Sequence, residues 1–201
     1  MAIELTITNI FQFVSALIPL LLIFFMVMIS IFNQDLKGMV YLAGILITSV
    51  INIFLLNIIK NRRDENSNPS CSIFNLPFNM TNYNVPSLNS VLISFTMAYL
   101  LLPMRESNQM NYVVISALLS IFVIDAISKI TNKCTTIAGV VLGLVTGLLF
   151  GFLWFVLFKS SGYNSLLYFN EVVSNKTYCS RPKKQTFKCS VYKNGELVKT
   201  L

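Results

Sequence analysis

The chain has 201 residues, of which 55% are hydrophobic and only 11% charged, with a formal net charge of +7 and a mean hydropathy of +0.69. A soluble domain carries roughly 25% charge, so this composition excludes a soluble enzyme and points to an integral membrane protein. Histidine is absent, which removes the commonest general base and the commonest metal ligand.

A membrane-crossing helix needs about 20 mostly apolar residues, and five segments approach or meet that length. The first runs from Ile10 to Phe32. Its apolar run is too long for a cleavable signal, and Glu4 is the only early charge, so it is expected to remain as a span. The second runs from Gly38 to Ile59, and a 27-residue loop, Lys60 to Pro86, follows it. The third is short, Leu88 to Leu102, and is expected to stop at Pro103. The fourth, Met110 to Ile130, carries Asp125, a charge that is expensive inside a bilayer. It can pair locally with Lys129 one turn later, or belong to a polar site shared between helices; the sequence leaves both open. The fifth, Thr135 to Phe158, places Gly139, Gly143, Gly147 and Gly151 on one face at intervals of four. Such a face admits a close helix neighbour, either within the chain or in a second copy.

The predicted architecture is therefore an all-α polytopic membrane bundle over residues 1–158, with a small extramembrane segment, 159–201, ending in a β-hairpin. Five spans place the termini on opposite sides. The N-terminal side, side A, would hold Lys60, Arg62, Arg63, Lys129 and Lys133. Side B would hold Lys37, Arg105 and Lys159 together with every basic residue of the tail, so the positive-inside rule puts side B in the cytoplasm. Tyr41, Tyr99, Tyr112 and Trp154 fall near the side-B boundary, where interfacial aromatic anchors are expected. The four cysteines lack zinc-site spacing, so no metal and no cofactor is expected. Cys71–Cys134 on side A and Cys179–Cys189 in the tail are possible disulfides. Asn79-Met-Thr81 and Asn175-Lys-Thr177 are glycosylation sequons, the first of them lumenal in this topology.

Side A collects three clusters: Lys60-Asn-Arg-Arg63, Pro86-Ser-Leu-Asn-Ser90, and Ser128-Lys-Ile-Thr-Asn-Lys-Cys134. Basic groups and a serine at helix ends suit an anion, here a lipid phosphate held by Lys60, Arg62, Arg63, Ser87, Lys129 and Lys133. Ordinary interfacial loops touching headgroups non-specifically would look similar. Order and spacing go further: the clusters resemble the signature of the type 2 phosphatidic acid phosphatase superfamily, over roughly residues 40 to 158. Lys60 with Asn68-Pro69 resembles its first motif, Pro86-Ser87-Leu88-Asn89 its second, and Ser128-Lys129 with Cys134 and Ala138-Gly139 its third. The resemblance implies a phosphohistidine nucleophile and a histidine acid. Asn89 and Cys134 stand near those places instead, and no carboxylate follows to orient a nucleophile. Catalytic groups that act as a unit fail as a unit, so the expectation is a phosphatase-like scaffold without activity.

The tail holds eight basic and two acidic residues. From Phe187 to Leu201 it alternates apolar and polar residues around Asn194-Gly195, the strongest short hairpin signal, pairing Tyr192 with Leu197 and Val191 with Val198. Arg181, Lys183, Lys184, Lys188 and Lys193 suit anionic headgroups or an acidic protein surface. Tyr178 to Cys189 with its hairpin resembles tails of small membrane proteins from large DNA viruses of algae and protists, and 19 Asn and 21 Ile fit an AT-rich genome. That resemblance implies a structural component of the membrane beneath an icosahedral capsid, docking through its tail to coat proteins. Self-association through the fifth helix is a further expected contact, and no nucleic-acid partner is expected.

Overall fold

The computed structural model describes residues 7–62, 71, 83–108, 110–168, 190–193 and 196–200. Five helices occupy the expected spans: α1 (Ile7–Asn33), α2 (Lys37–Ile59), α3 (Leu88–Glu106), α4 (Tyr112–Thr131) and α5 (Ile137–Ser160). All five are long and apolar enough to cross a bilayer, and the chain is an integral membrane protein.

The helix at the centre is α3, the least apolar of the five and the most enclosed. Lipid-facing helices must be apolar all along that face, whereas a helix wrapped by protein can carry hydroxyls that find partners. The Thr96 hydroxyl donates to the Leu92 carbonyl at 2.9 Å and meets the Tyr41 hydroxyl at 2.7 Å. Ser94 Oγ lies 2.6 Å from the Ser90 carbonyl and 3.2 Å from that of Gly143, so its proton can serve either. The helix runs on past Pro103 to Glu106, correcting the expected stop. A proline in the final turn forfeits one ladder bond, and its fixed φ still suits a helix.

The glycine face of α5 packs on α3. A Cβ on Gly143 would lie 2.8 Å from the Ser87 carbonyl oxygen, and one on Gly151 2.7 Å from that of Phe95. The face is thus filled within the chain and is not open to a second copy. Val141, Val145, Leu149 and Phe152 are exposed in its place, as a lipid-contacting surface requires.

Toward side B the core is aromatic. Tyr41, Phe95 and Tyr99 pack with ring centroids 5.6–6.2 Å apart. Tyr41 and Tyr99 are fully buried, so they are core residues and not members of an interfacial belt. Tyr112 is exposed, and the half-buried Trp154 donates its Nε1–H to the Val40 carbonyl at 3.2 Å. The α1–α2 turn is knotted by Asp35. Its carboxylate accepts from the Ser30 hydroxyl at 2.6 Å and the Lys37 N–H at 3.1 Å, and pairs with the Lys37 ammonium at 3.6 Å.

The root of the tail returns to the bundle. Lys159 pairs with Glu106, and a 3-10 turn (Asn164–Leu166) delivers Leu167 and Tyr168 to buried positions. The Tyr168 ring packs edge-on against Tyr99, and its hydroxyl donates to the Met26 carbonyl at 2.5 Å. Farther on, β1 (Ser190–Lys193) and β2 (Glu196–Thr200) run antiparallel. Tyr192 stands opposite Leu197, but a register shift after Val191 sets that residue opposite Lys199 and not Val198. The Asn194-Gly195 turn lies outside the described residues.

Candidate functional site

The segments named from the sequence on side A meet where the chain enters α3. Lys60 ends α2 in the left-handed conformation, φ 50°, with its N–H on the Leu56 carbonyl at 3.0 Å. That bend turns the chain so that Arg62 forms a β-bridge with Tyr83. The Asn84 N–H then donates to the Asn61 carbonyl at 3.2 Å, and the Asn84 carbonyl accepts from the Thr135 hydroxyl at 2.7 Å. One strip of backbone therefore laces the exit of α2 and the entry of α3 to the α4–α5 turn. Lys133, itself at φ 55°, sits in that turn. Lys60, Arg62 and Lys133 are exposed and Lys129 is half-buried, while Arg63 lies outside the described residues.

Ser87 precedes α3 and is buried, with its N–H donating to the Gly139 carbonyl at 3.0 Å. Its side chain makes no capping bond. In contrast, Thr136 caps α5 by accepting from the Gly139 N–H at 3.2 Å. The two positions expected to be degenerate are both engaged. The Asn89 amide donates to Asp125 Oδ1 at 3.0 Å, and Cys134 is in a disulfide with Cys71, Cα atoms 5.3 Å apart. A carboxamide bound to a carboxylate supplies no acidic proton, and a sulfur in a disulfide supplies no thiolate. The arrangement offers cations and helix-terminal N–H groups that can hold an anion.

Asp125 resolves the choice left open by the sequence in favour of a shared polar site. Its Oδ1 also accepts from the Ser15 hydroxyl of α1 at 3.1 Å, so three helices meet at one carboxylate. The ion pairs among the described residues are Asp35–Lys37 and Glu106–Lys159. Ser15 was invisible to sequence reasoning: a serine in an apolar span carries no mark of its partner. The intramembrane Asp125 was the available signal.

Arg181, Lys183, Lys184, Lys188, Cys179 and Cys189 lie outside the described residues, as do both sequons and Asn68-Pro69. The Lys193 backbone belongs to β1. No family model, no curated protein and no solved structure matches the chain.

Proposed function

We propose that this chain is a non-catalytic, architectural membrane protein that presents its basic C-terminal tail to an acidic protein layer on side B. The carrying observation is the anchored root of the tail, with Tyr168 inserted between α1 and α3 and Lys159 paired with Glu106. A tail meant only as a solvated charge anchor gains nothing from a buried root. A docking element does, because a fixed exit lowers the entropy lost when its partner binds. The hairpin built on β1 and β2, together with the basic segment that precedes it, is then the docking unit, with Lys183, Lys184, Lys188 and Lys193 as its cations. The concrete form suggested by the tail's resemblance is a minor component of a virion membrane, facing the capsid shell. The Cys71–Cys134 bridge supports side A as the oxidising face, and hence side B as cytoplasmic.

The engaged states of Asn89 and Cys134 support an inactive scaffold over a phosphatase. A second reading, retention of a lipid phosphate on side A, is favoured by the lacing of Asn61, Asn84 and Thr135 that gathers Lys60, Arg62 and Lys133 at one end. Cross-linking mass spectrometry on the native membrane or particle separates the two. Recurrent links from Lys183, Lys184, Lys188 or Lys193 to one abundant coat-type protein are expected. Links confined to the chain itself, together with a copurified phospholipid lost in a K60A/R62A/K133A variant, would replace docking by headgroup binding.

A further inference from the structure

The polar junction inside the bundle has more acceptors than its own donors satisfy. Asp125 is fully buried, both its neutral donors converge on Oδ1, and Oδ2 has no hydrogen-bond partner. Ser15 brings a second oxygen. Pro19, four residues along α1, has no N–H to give the Ser15 carbonyl, which is therefore released from the helical ladder. A third stands at the same level on α2, which packs on α3 where Tyr41 and Gly44 meet Thr96 and Phe95. The same stripe continues at helical spacing through Thr48 to Asn52, which is buried with neither atom of its amide partnered. Because α2 and α3 run antiparallel, about 12 Å along α2 beyond Gly44 corresponds to about 12 Å back from Phe95. That level is the first turn of α3, where Asn89 reaches Asp125.

We propose that this junction binds a monovalent cation of sodium's class, held by Asp125 Oδ2, the Ser15 carbonyl and the Asn52 amide oxygen. All three donors are hard oxygens, which select alkali and alkaline-earth ions over softer metals. A single carboxylate in a low-dielectric interior is neutralised by one positive charge, whereas a divalent ion would leave an unpaired one. Discontinuous helix hydrogen bonding that exposes a carbonyl within a membrane is a recognised way to coordinate such ions. Asn89, the one member that keeps partial exposure, marks an approach from side A. Bound there, the ion ties α1, α2, α3 and α4 together. The inference stands apart from tail docking, since the tail root packs at the opposite end.

The test uses the full chain in phosphatidylcholine nanodiscs. Thermal unfolding is compared in sodium chloride and N-methyl-D-glucamine chloride at equal ionic strength, alongside equilibrium binding of radioactive sodium. A Tm that rises with sodium, and saturable stoichiometric binding, are expected. D125N should lose both, and N52A should raise the half-saturating sodium concentration. Should D125N fail to give a monodisperse, disulfide-bonded protein, wild type and N52A alone decide. Identical unfolding in the two salts with no bound sodium would overturn the proposal and leave Asp125 as a latch between helices, or as counter-charge to Lys129.

Discussion

Tyr168 joins two effects that single substitutions can separate. Its hydroxyl reaches the Met26 carbonyl, and its ring fills the space beside Tyr99. Loss of one hydrogen bond to a backbone carbonyl costs about 0.5–1.5 kcal/mol, whereas removal of a buried ring costs about 3–5 kcal/mol. In reversible unfolding in mixed micelles, Y168F should be mildly destabilised and Y168A severely so; equal losses would put the weight of the contact in the hydroxyl alone. Asp35 yields a pH signature. Burial alone would raise its pKa, but the Ser30 hydroxyl, the Lys37 N–H and the Lys37 ammonium outweigh it and hold the carboxyl below its ordinary value of 3.8. A depressed folded-state pKa means that stabilisation is present above the unfolded value and is lost as pH falls through the lowered one. D35N should therefore be less stable than wild type at neutral pH, by roughly 1 kcal/mol. The difference should begin to shrink as pH falls below 3.8 and vanish only once pH lies below the lowered folded-state value. A gap that persists in acid would mean that Asp35 acts by shape and not by charge. The same scale shows where residue-level reading falls short. Tyr41 and Tyr99 have the amphipathic character of interfacial anchors, and the same rings serve equally well in a buried aromatic cluster, where the Tyr41 hydroxyl is bonded to Thr96.

Among the elements, the α3–α5 pair is the tightest, and the glycine spacing announced a close approach without naming the neighbour. Hydropathy placed all five spans to within a few residues, because the bilayer imposes length and apolarity on any helix that faces it. It said nothing of α3's central position, since a helix shielded from lipid is freed from that constraint and reads as the weakest span. Pro103 misled for a related reason: a helix-ending residue by propensity lies within a final turn held by packing, with Met104 fully buried. The α3–α5 contact predicts a position-dependent response. A Cβ on Gly147 would fall within contact distance of Ser94 Oγ and the Val91 carbonyl, and 2.9 Å from the Phe95 nitrogen. G147A should destabilise by about 1–3 kcal/mol through overpacking, although alanine is the better helix former. Leu149, exposed on the lipid side of the same helix, should accept alanine with a far smaller loss. Comparable unfolding midpoints for G147A and L149A would mean that α3 and α5 do not approach as closely as their backbones indicate.

The whole molecule is polarised, with an aromatic core and the pinned tail root at the side-B end and a polar, disulfide-tied cap at the side-A end. Much of the cap was legible. Three motifs distant in sequence were expected on one side, and the Asn61–Asn84–Thr135 lacing joins the first motif to residues flanking the other two, Asn84 just before Pro86 and Thr135 just after Cys134. The Ser15–Asp125–Asn89 junction was legible only as a lone charge, because contacts between helices depend on rotational setting, which hydropathy does not encode. Polarity also fixes the expectation for orientation. Ten of the 15 basic residues fall on side B when five spans are counted, which assigns that side to the cytoplasm. The Cys71–Cys134 bridge agrees with the proposed orientation on independent chemistry, since a disulfide persists where the compartment is oxidising. Sealed microsomes carrying the full chain offer a direct check with a membrane-impermeant maleimide added outside. With the tail on the cytosolic side, as proposed, Cys179 and Cys189 should react at once. Cys71 and Cys134 should react only after both a reductant and detergent have been supplied, because two barriers, a covalent bond and a bilayer, protect them. If reductant alone exposes Cys71 and Cys134 while the tail cysteines stay protected, the chain is inverted, and the tail would then face the lumen, where no cytoplasmic coat can reach it.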